Sequence, residues 1–368
     1  MSDSLRVLYY QLTLGPAHMA RVRALDGVPG FECVGVELAS SERTRNYHLT
    51  DADRRGVETV MTGVYEDAPF TERLRSAKRH LADSRADAII VDSPADPVQW
   101  LLASAARRQG VAALTRWAAT VHDHPRKIWK EALKRGVYRG WDHYLVTGQR
   151  GLEYLESFGV DRSRATLCGN PVECAPIEAA RRSCSVSREP RFLFVGRFLS
   201  LKNLDRFLAA FLRYRAEGGL WGLDIVGTGE PVDVRRLEEQ AAFEPCIRFH
   251  GHLQFDALID AYSRAGCLVL PSYSENWGLV VNEAMHAGMP VLLSDRCGCH
   301  PDLLRAGENG FDFDPYDESS MVGALRKMES ASERERVAFG ERSVELIALH
   351  TPERWADRVA QIVRGLRT

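Results

Sequence analysis

Apolar residues fall along this chain in two alternating rhythms. Short apolar runs, rich in β-branched and aromatic residues, take turns with longer segments of helical period. Leu5–Tyr10, Phe31–Leu38, Val57–Thr62, Ala88–Val91, Val111–Arg116 and His143–Thr147 read as strands. Pro16–Leu25, Thr71–Ala82, Pro97–Arg108, Pro125–Tyr138 and Leu152–Phe158 read as helices between them. A second set starts at Arg191. Its strands are Phe192–Val195, Leu223–Val226, Ile247–His250, Cys267–Leu270 and Val291–Ser294. Its helices are Leu204–Arg215, Val232–Ala242, Phe255–Arg264 and Leu279–His286. Such alternation predicts parallel sheets with helices on both faces. The expected class is α/β, with two doubly wound Rossmann-like domains facing each other. Residues 1–173 form the first, 174–190 a linker without strand period, and 191–351 the second. Residues 352–368 read as a final amphipathic helix packing back on the first domain.

Composition narrows the partners. The 368 residues suit two domains at roughly 100–200 residues each. A formal net charge of −2 and a pI near 6.6 give no basis for bulk nucleic-acid binding. No apolar stretch is long enough to cross a membrane. The first residues lack the basic head, apolar run and cleavage site of a signal peptide, so a cytoplasmic protein is expected. The eight cysteines are scattered and read as reduced thiols, Cys297-Gly-Cys299-His300 included.

Candidate chemistry lies where strands end, since ligands of open parallel sheets bind beyond the carboxyl ends. After Cys267–Leu270 come Glu275, Gly278 and a helix carrying Glu283. Gly278 permits close backbone approach, and the N–H groups of a new helix attract anions. Two carboxylates around anion-binding amides suit a ligand with hydroxyls at both ends and phosphate between, such as a nucleotide sugar. The first strand of the second domain exits into Gly196-Arg197 and, five positions on, Lys202. This pair suits a diphosphate, although two solvated cations would look the same. Gly227-Thr-Gly229 closes the next strand as a turn. Gly251-His252-Leu253 closes the one after, with backbone suited to a base. Asp295 to Asp302 is a further glycine loop.

These motifs, in this order, resemble the retaining glycosyltransferases of family 4. They are Gly-Arg-x4-Lys-Asn, Val-Gly-x-Gly, Phe-x-Gly, Pro-Ser-x-x-Glu-x7-Glu-Ala and Asn309-Gly-Phe, over about residues 191–315. Gly169-Asn-Pro-Val-Glu173 resembles that family's hinge. The resemblance implies the GT-B fold, two Rossmann-like domains across a cleft, with donor bound mainly by the second domain and acceptor by the first. It implies that Arg197 and Lys202 hold the donor diphosphate and stabilise the leaving group. It implies that Glu283 accepts from ribose hydroxyls and that Glu275 lies near the sugar. Backbone N–H groups of Gly278, Leu279 and Val280 would meet phosphate or sugar.

The first domain is less specific. Gly15 opens its first helix as a loop facing a phosphate would. Thr120 to Arg126 packs two imidazoles and a carboxylate into one loop, and relatives place a histidine near the donor sugar there. His122 is preferred to His124, with a solvated loop as the alternative. The basic helix 125–138 suits an anionic acceptor or a membrane surface, but such faces are more often simply solvated. Asp51-x-Asp53 and Asp312-x-Asp314 are read as incidental, because cations already neutralise the diphosphate. The expectation is a metal-independent hexosyltransferase without cofactor, using a nucleotide sugar (UDP favoured) and a hydroxyl acceptor, as monomer or homodimer. A sugar-nucleotide epimerase and an inactive sugar-nucleotide-binding subunit are the alternatives.

Overall fold

The structure, a computed structural model, describes residues 4–43, 54–92, 96–123, 135, 136, 138, 140–183, 187–241 and 244–367. The chain divides into two units. Unit 1 is Met1–Ala119, His124–Glu173 and His350–Thr368; unit 2 is Thr120–Asp123 and Cys174–Leu349.

Unit 1 opens with β1 (Leu5–Gln11), α1 (Pro16–Asp26), β2 (Phe31–Glu37), β3 (Val57–Thr59), α2 (Phe70–Asp83) and β4 (Ala88–Val91). It continues with α3 (Pro97–Arg108), β5 (Ala112–Trp117), β6 (His143–Val146), α4 (Gln149–Ser157) and β7 (Ala165–Leu167). The strands form one parallel sheet in the order β3-β2-β1-β4-β5-β6-β7. Central strands of a parallel sheet are covered on both faces, which is why β4 reads Ala-Ile-Ile-Val and is buried throughout.

Unit 2 begins with α5 (Ala175–Ser183) and β8 (Glu189–Val195). It runs on through α6 (Leu204–Ala216), β9 (Gly222–Val226), α7 (Pro231–Ala241), β10 (Ile247–Gly251), α8 (Phe255–Arg264) and β11 (Ala265–Leu270). Then come α9 (Leu279–His286), β12 (Val291–Ser294), α10 (His300–Leu303), β13 (Gly310–Phe313), α11 (Glu318–Ser330) and α12 (Glu333–Ile347). Its parallel sheet has the order β10-β9-β8-β11-β12-β13.

Three features differ from the sequence reading. Residues 174–190 are not an irregular linker: they hold α5 and the start of β8. Only Ile177 of α5 is buried, so its apolar signal is faint, and Glu178 tethers it to His286 of α9 at 2.8 Å. Each sheet also gains an edge strand, β7 or β13, too short to announce itself. Finally, residues 318–347 form two helices, α11 and α12. Most of the helix expected over 125–138 lies outside the described residues, as do His124, Cys184, Asp51 and Asp53.

The last helix, α13 (Pro352–Arg367), belongs to unit 1. It buries Trp355, Val359 and Val363 in the cluster that holds Val7, Tyr9 and Leu25. Trp355 is 1% exposed and meets the Tyr9 ring edge-on at 6.2 Å. Trp355→Ala is therefore expected to cost about 3–5 kcal/mol of stability. Denaturant midpoints would show it, and a change below 1 kcal/mol would contradict this packing. Among the described residues no helix is long and apolar enough to cross a membrane.

Candidate active site

The carboxyl ends of β8, β9 and β10 are joined backbone to backbone beyond the sheet. Gly196 N donates to Val226 O at 3.0 Å, Phe198 N to Thr228 O at 2.8 Å, and Gly227 N to Gly251 O at 2.8 Å. Gly227 has φ +134, and a Cβ there would lie 1.9 Å from the Gly196 carbonyl oxygen. Its glycine is thus required by the neighbouring loop. Gly251, at φ +64, faces open space. His252 is exposed and Leu253 half-buried. His250 pairs with Asp224 at 2.8 Å, which Arg191 also holds, so this imidazole serves the sheet.

Arg197 follows Gly196 and is exposed. Residues Ser200–Lys202 make one 3-10 turn, ended by Asn203 in the left-handed region at φ 57. Asparagine tolerates that conformation. Its buried amide donates to Pro271 O at 3.0 Å and to Pro315 O at 2.9 Å. Tyr273 N donates to Leu201 O at 2.9 Å. These bonds fix the Lys202 loop against the loop after β11, and there Lys202 and Glu275 form an ion pair.

Glu275 is itself held from behind. Its carbonyl accepts from Gly298 N at 2.7 Å, and Trp277 O accepts from Cys299 N at 3.2 Å. A Cβ on Gly298 would lie 1.9 Å from Asn276 O, so this loop also demands glycine. Gly278, at φ +100, begins α9, which has no acidic residue in its first turn. First-turn N–H groups lack intrahelical acceptors, and Leu279 and Val280 are only half-buried. One turn on, Glu283 accepts from the Tyr262 hydroxyl at 2.6 Å. Burial pushes the Glu283 carboxyl up, and the Tyr262 hydrogen bond opposes the shift.

The segment Thr120–Asp123 goes with unit 2. Asp123 accepts from Thr120 N at 2.6 Å and from Ser274 Oγ at 3.4 Å. His122 Nδ1 lies 2.9 Å from Arg296 Nη1. A guanidinium only donates, so Nδ1 is the acceptor and a neutral ring carries its proton on Nε2. Arg296 also lies 5.4 Å over the Tyr316 ring, which stacks on Tyr273 at 4.7 Å. Asn203, Tyr262, Tyr273, Arg296 and Tyr316 thus frame the site without having been singled out in the sequence. Asn203 was visible only as the last residue of Gly-Arg-x4-Lys-Asn.

Unit 1 keeps its own polar cluster where the strand order reverses between β1 and β4. Asp92 accepts from Gln11 Nε2 at 2.7 Å, pairs with Arg116, and lies 3.1 Å from His18 Nε2. Burial would raise the Asp92 carboxyl, but Arg116, His18 and Arg21 hold it well below the usual range. Burial pushes the His18 imidazole down to about 4. Gly15 N donates to His18 Nδ1 at 2.9 Å. Gly15, expected as a phosphate-facing amide, is buried, and its N–H is held by this imidazole.

Cys297 and Cys299 are buried, and burial raises the Cys299 thiol well above its ordinary value. Asp312 lies 3.2 Å from His300 Nε2, and Asp314 accepts from Tyr316 N at 2.8 Å. Among the described residues no three His, Cys, Asp or Glu side chains gather as metal ligands would.

The two doubly wound parallel units, with glycine-rich loops at the carboxyl strand ends, have the GT-B fold. Residues 177–345 match the model of the glycosyl transferases group 1 family. Over 181 residues it is 33% identical to a glycogen synthase of Mycobacterium tuberculosis, covering 48% of this chain and 42% of that protein. Over 176 residues it is 30% identical to a D-inositol 3-phosphate glycosyltransferase of Corynebacterium jeikeium, covering 45% and 41%. The matched stretch thus spans less than half of these relatives' length. Among solved structures, the lipopolysaccharide outer core galactosyltransferase WaaB superposes with TM-score 0.74 at 17% identity, covering 98% of this chain and 99% of that one. Anabaena Alr3699/HepE, in complex with UDP and glucose, superposes with TM-score 0.74 at 12% identity, covering 98% and 100%.

Proposed function

We propose that the chain is a retaining, metal-independent hexosyltransferase that moves a sugar from a nucleoside diphosphate donor to a hydroxyl acceptor. One observation carries this reading: Lys202 and Glu275 pair on adjoining strand-end loops, beside the N-terminus of α9. In the free protein the carboxylate neutralises the lysine. A donor diphosphate takes its place, and Arg197 and Lys202 then stabilise charge on the leaving group. Glu275, released, accepts from sugar hydroxyls, and Glu283 accepts from the ribose. N–H groups of Gly278, Leu279 and Val280 complete the anion cradle. His122, with its proton on Nε2, donates towards the transferred sugar. The bound UDP of the Anabaena neighbour supports a uridine donor, with glucose or N-acetylglucosamine ahead of GDP-mannose. The acceptor is a polar small molecule, a natural-product core or a glycan, bound mainly by unit 1.

The test is product analysis. UDP-glucose, UDP-N-acetylglucosamine and GDP-mannose are each incubated with a panel of hydroxyl acceptors, and the new anomeric centre is read by NMR. Retained configuration without added metal is expected. Inverted product would overturn the mechanism, and an epimerised donor in the absence of acceptor would point to an epimerase.

A pH dependence follows from Glu283. A raised carboxyl takes its proton at higher pH than a free glutamate, and a protonated carboxyl is a poorer acceptor for ribose. Donor affinity should therefore fall as pH drops through that raised value. Tyr262→Phe removes the bond that opposes the shift, so the midpoint should move to still higher pH. Titrations of UDP binding from pH 5 to 8 on both proteins check this, and an unmoved midpoint would refute it.

A further inference from the structure

The site above occupies the carboxyl ends of the unit 2 strands. The opposite edge of the same sheet holds a cavity of about 490 Å³, within the size range of small-ligand sites. It lies at the amino ends of β8 and β11, by Glu189 and Gly266, with Trp221, just before β9, as one wall. The other wall is α12, whose Glu333, Arg336, Val337, Gly340, Glu341 and Val344 recur at helical spacing. A helix face turned towards its own domain is normally apolar. This face mixes charges with valine and glycine and leaves space. At its centre α12 meets the loop after α9 backbone to backbone: a Cβ on Gly340 would lie 2.2 Å from Gly288 O.

Charge in the cavity is layered. Arg181, Arg188 and Arg336 are half-buried, whereas Glu189, Glu333 and Glu341 are exposed. Arg188 is committed to main-chain carbonyls, donating to Tyr262 O at 2.7 Å and to Ala265 O at 2.8 Å. Arg336 lies 5.3 Å over the Trp221 ring. Arg181 differs from both. Its Nε is buried and meets no acceptor among the described residues. A buried donor left unsatisfied costs stability, and the same side chain lines the cavity.

We propose that this cavity is a second ligand site, for a small phosphorylated sugar. The inner guanidinium groups, Arg181 above all, suit phosphate by charge and by forked donor geometry. The outer carboxylates, with Ser187 and Ser263, suit sugar hydroxyls. The indole of Trp221 supplies a flat apolar wall for the ring. A wholly apolar ligand would strand the charges, and a bare polyanion would meet the outer glutamates.

Isothermal titration with glucose 6-phosphate, inorganic phosphate and glucose tests this. Glucose 6-phosphate should bind, inorganic phosphate at least tenfold more weakly, and glucose not at all. Arg181→Ala should weaken glucose 6-phosphate at least tenfold. Val337→Trp, which adds bulk at an exposed wall position and leaves every guanidinium in place, should do the same. Lys202→Ala should leave it unchanged, which separates this cavity from the carboxyl-end loops. Absence of binding, binding that survives both Arg181→Ala and Val337→Trp, or binding lost in Lys202→Ala would overturn the proposal. Phosphate binding as tightly as its sugar ester would overturn the sugar component.

Discussion

Lys202→Ala is expected to lower kcat/KM for sugar transfer by roughly a hundredfold to a thousandfold, about 3–4 kcal/mol of transition-state stabilisation. The lysine ends a 3-10 turn whose position does not depend on its own side chain. Asn203 holds the turn through Pro271 O and Pro315 O, and Tyr273 N holds Leu201 O. The variant should therefore fold. The Lys202–Glu275 pair is partly solvated, with side chains 19% and 18% exposed, and such a pair contributes about 1 kcal/mol or less. A large loss of turnover with a nearly unchanged thermal midpoint is the expected signature. Loss of stability with turnover kept within threefold would mean that the pair is only structural. Glu275→Gln sharpens the comparison. It leaves Lys202 unneutralised before donor arrives, so donor binding should not weaken even where turnover does.

Gly227→Ala should destabilise unit 2 by about 3 kcal/mol, from strain at positive φ together with a backbone clash. For a domain of this size that corresponds to a fall of roughly 6–12 °C in its thermal midpoint. The added Cβ would meet Gly196 O at 1.9 Å, and neither atom belongs to a flexible side chain that could move away. Relief requires the β8 and β9 loops to part, which would also displace Arg197. Gly251→Ala is the matched control. It faces open space at φ +64 and should cost only about 1–2 kcal/mol, the left-handed penalty alone. Equal effects in a thermal melt would show that the close approach at Gly227 is not what demands glycine there.

Much of this architecture was legible along the chain, for a local reason. A strand buried on both faces must be apolar over its length, and β4 and β11 are. Helices between such strands must carry an apolar stripe, as α8 does with Ile259 and Tyr262. Where that signal weakens, legibility ends. α5 buries only Ile177. β7 is three residues long and wholly half-buried. α12 turns charges towards a cavity, so its stripe does not look like one. The residues that frame the site without having been noticed share a different cause. Asn203 binds carbonyls 68 and 112 positions away, and Arg296 reaches an imidazole 174 positions away. No window along the sequence contains both partners.

The sequence by itself determined the order of the strands and helices that carry a strong apolar period. It also determined which loops bear glycine, cations and carboxylates, because period and turn chemistry are properties of neighbouring residues. Only the tertiary structure decided what those groups meet. It paired Lys202 with Glu275, set Glu283 against Tyr262, and joined the Gly15 amide to His18. It also showed that Gly227 is glycine on account of Gly196. Each depends on chain segments that approach only when the sheets form, and a close contact is fixed by that packing, not by spacing along the chain.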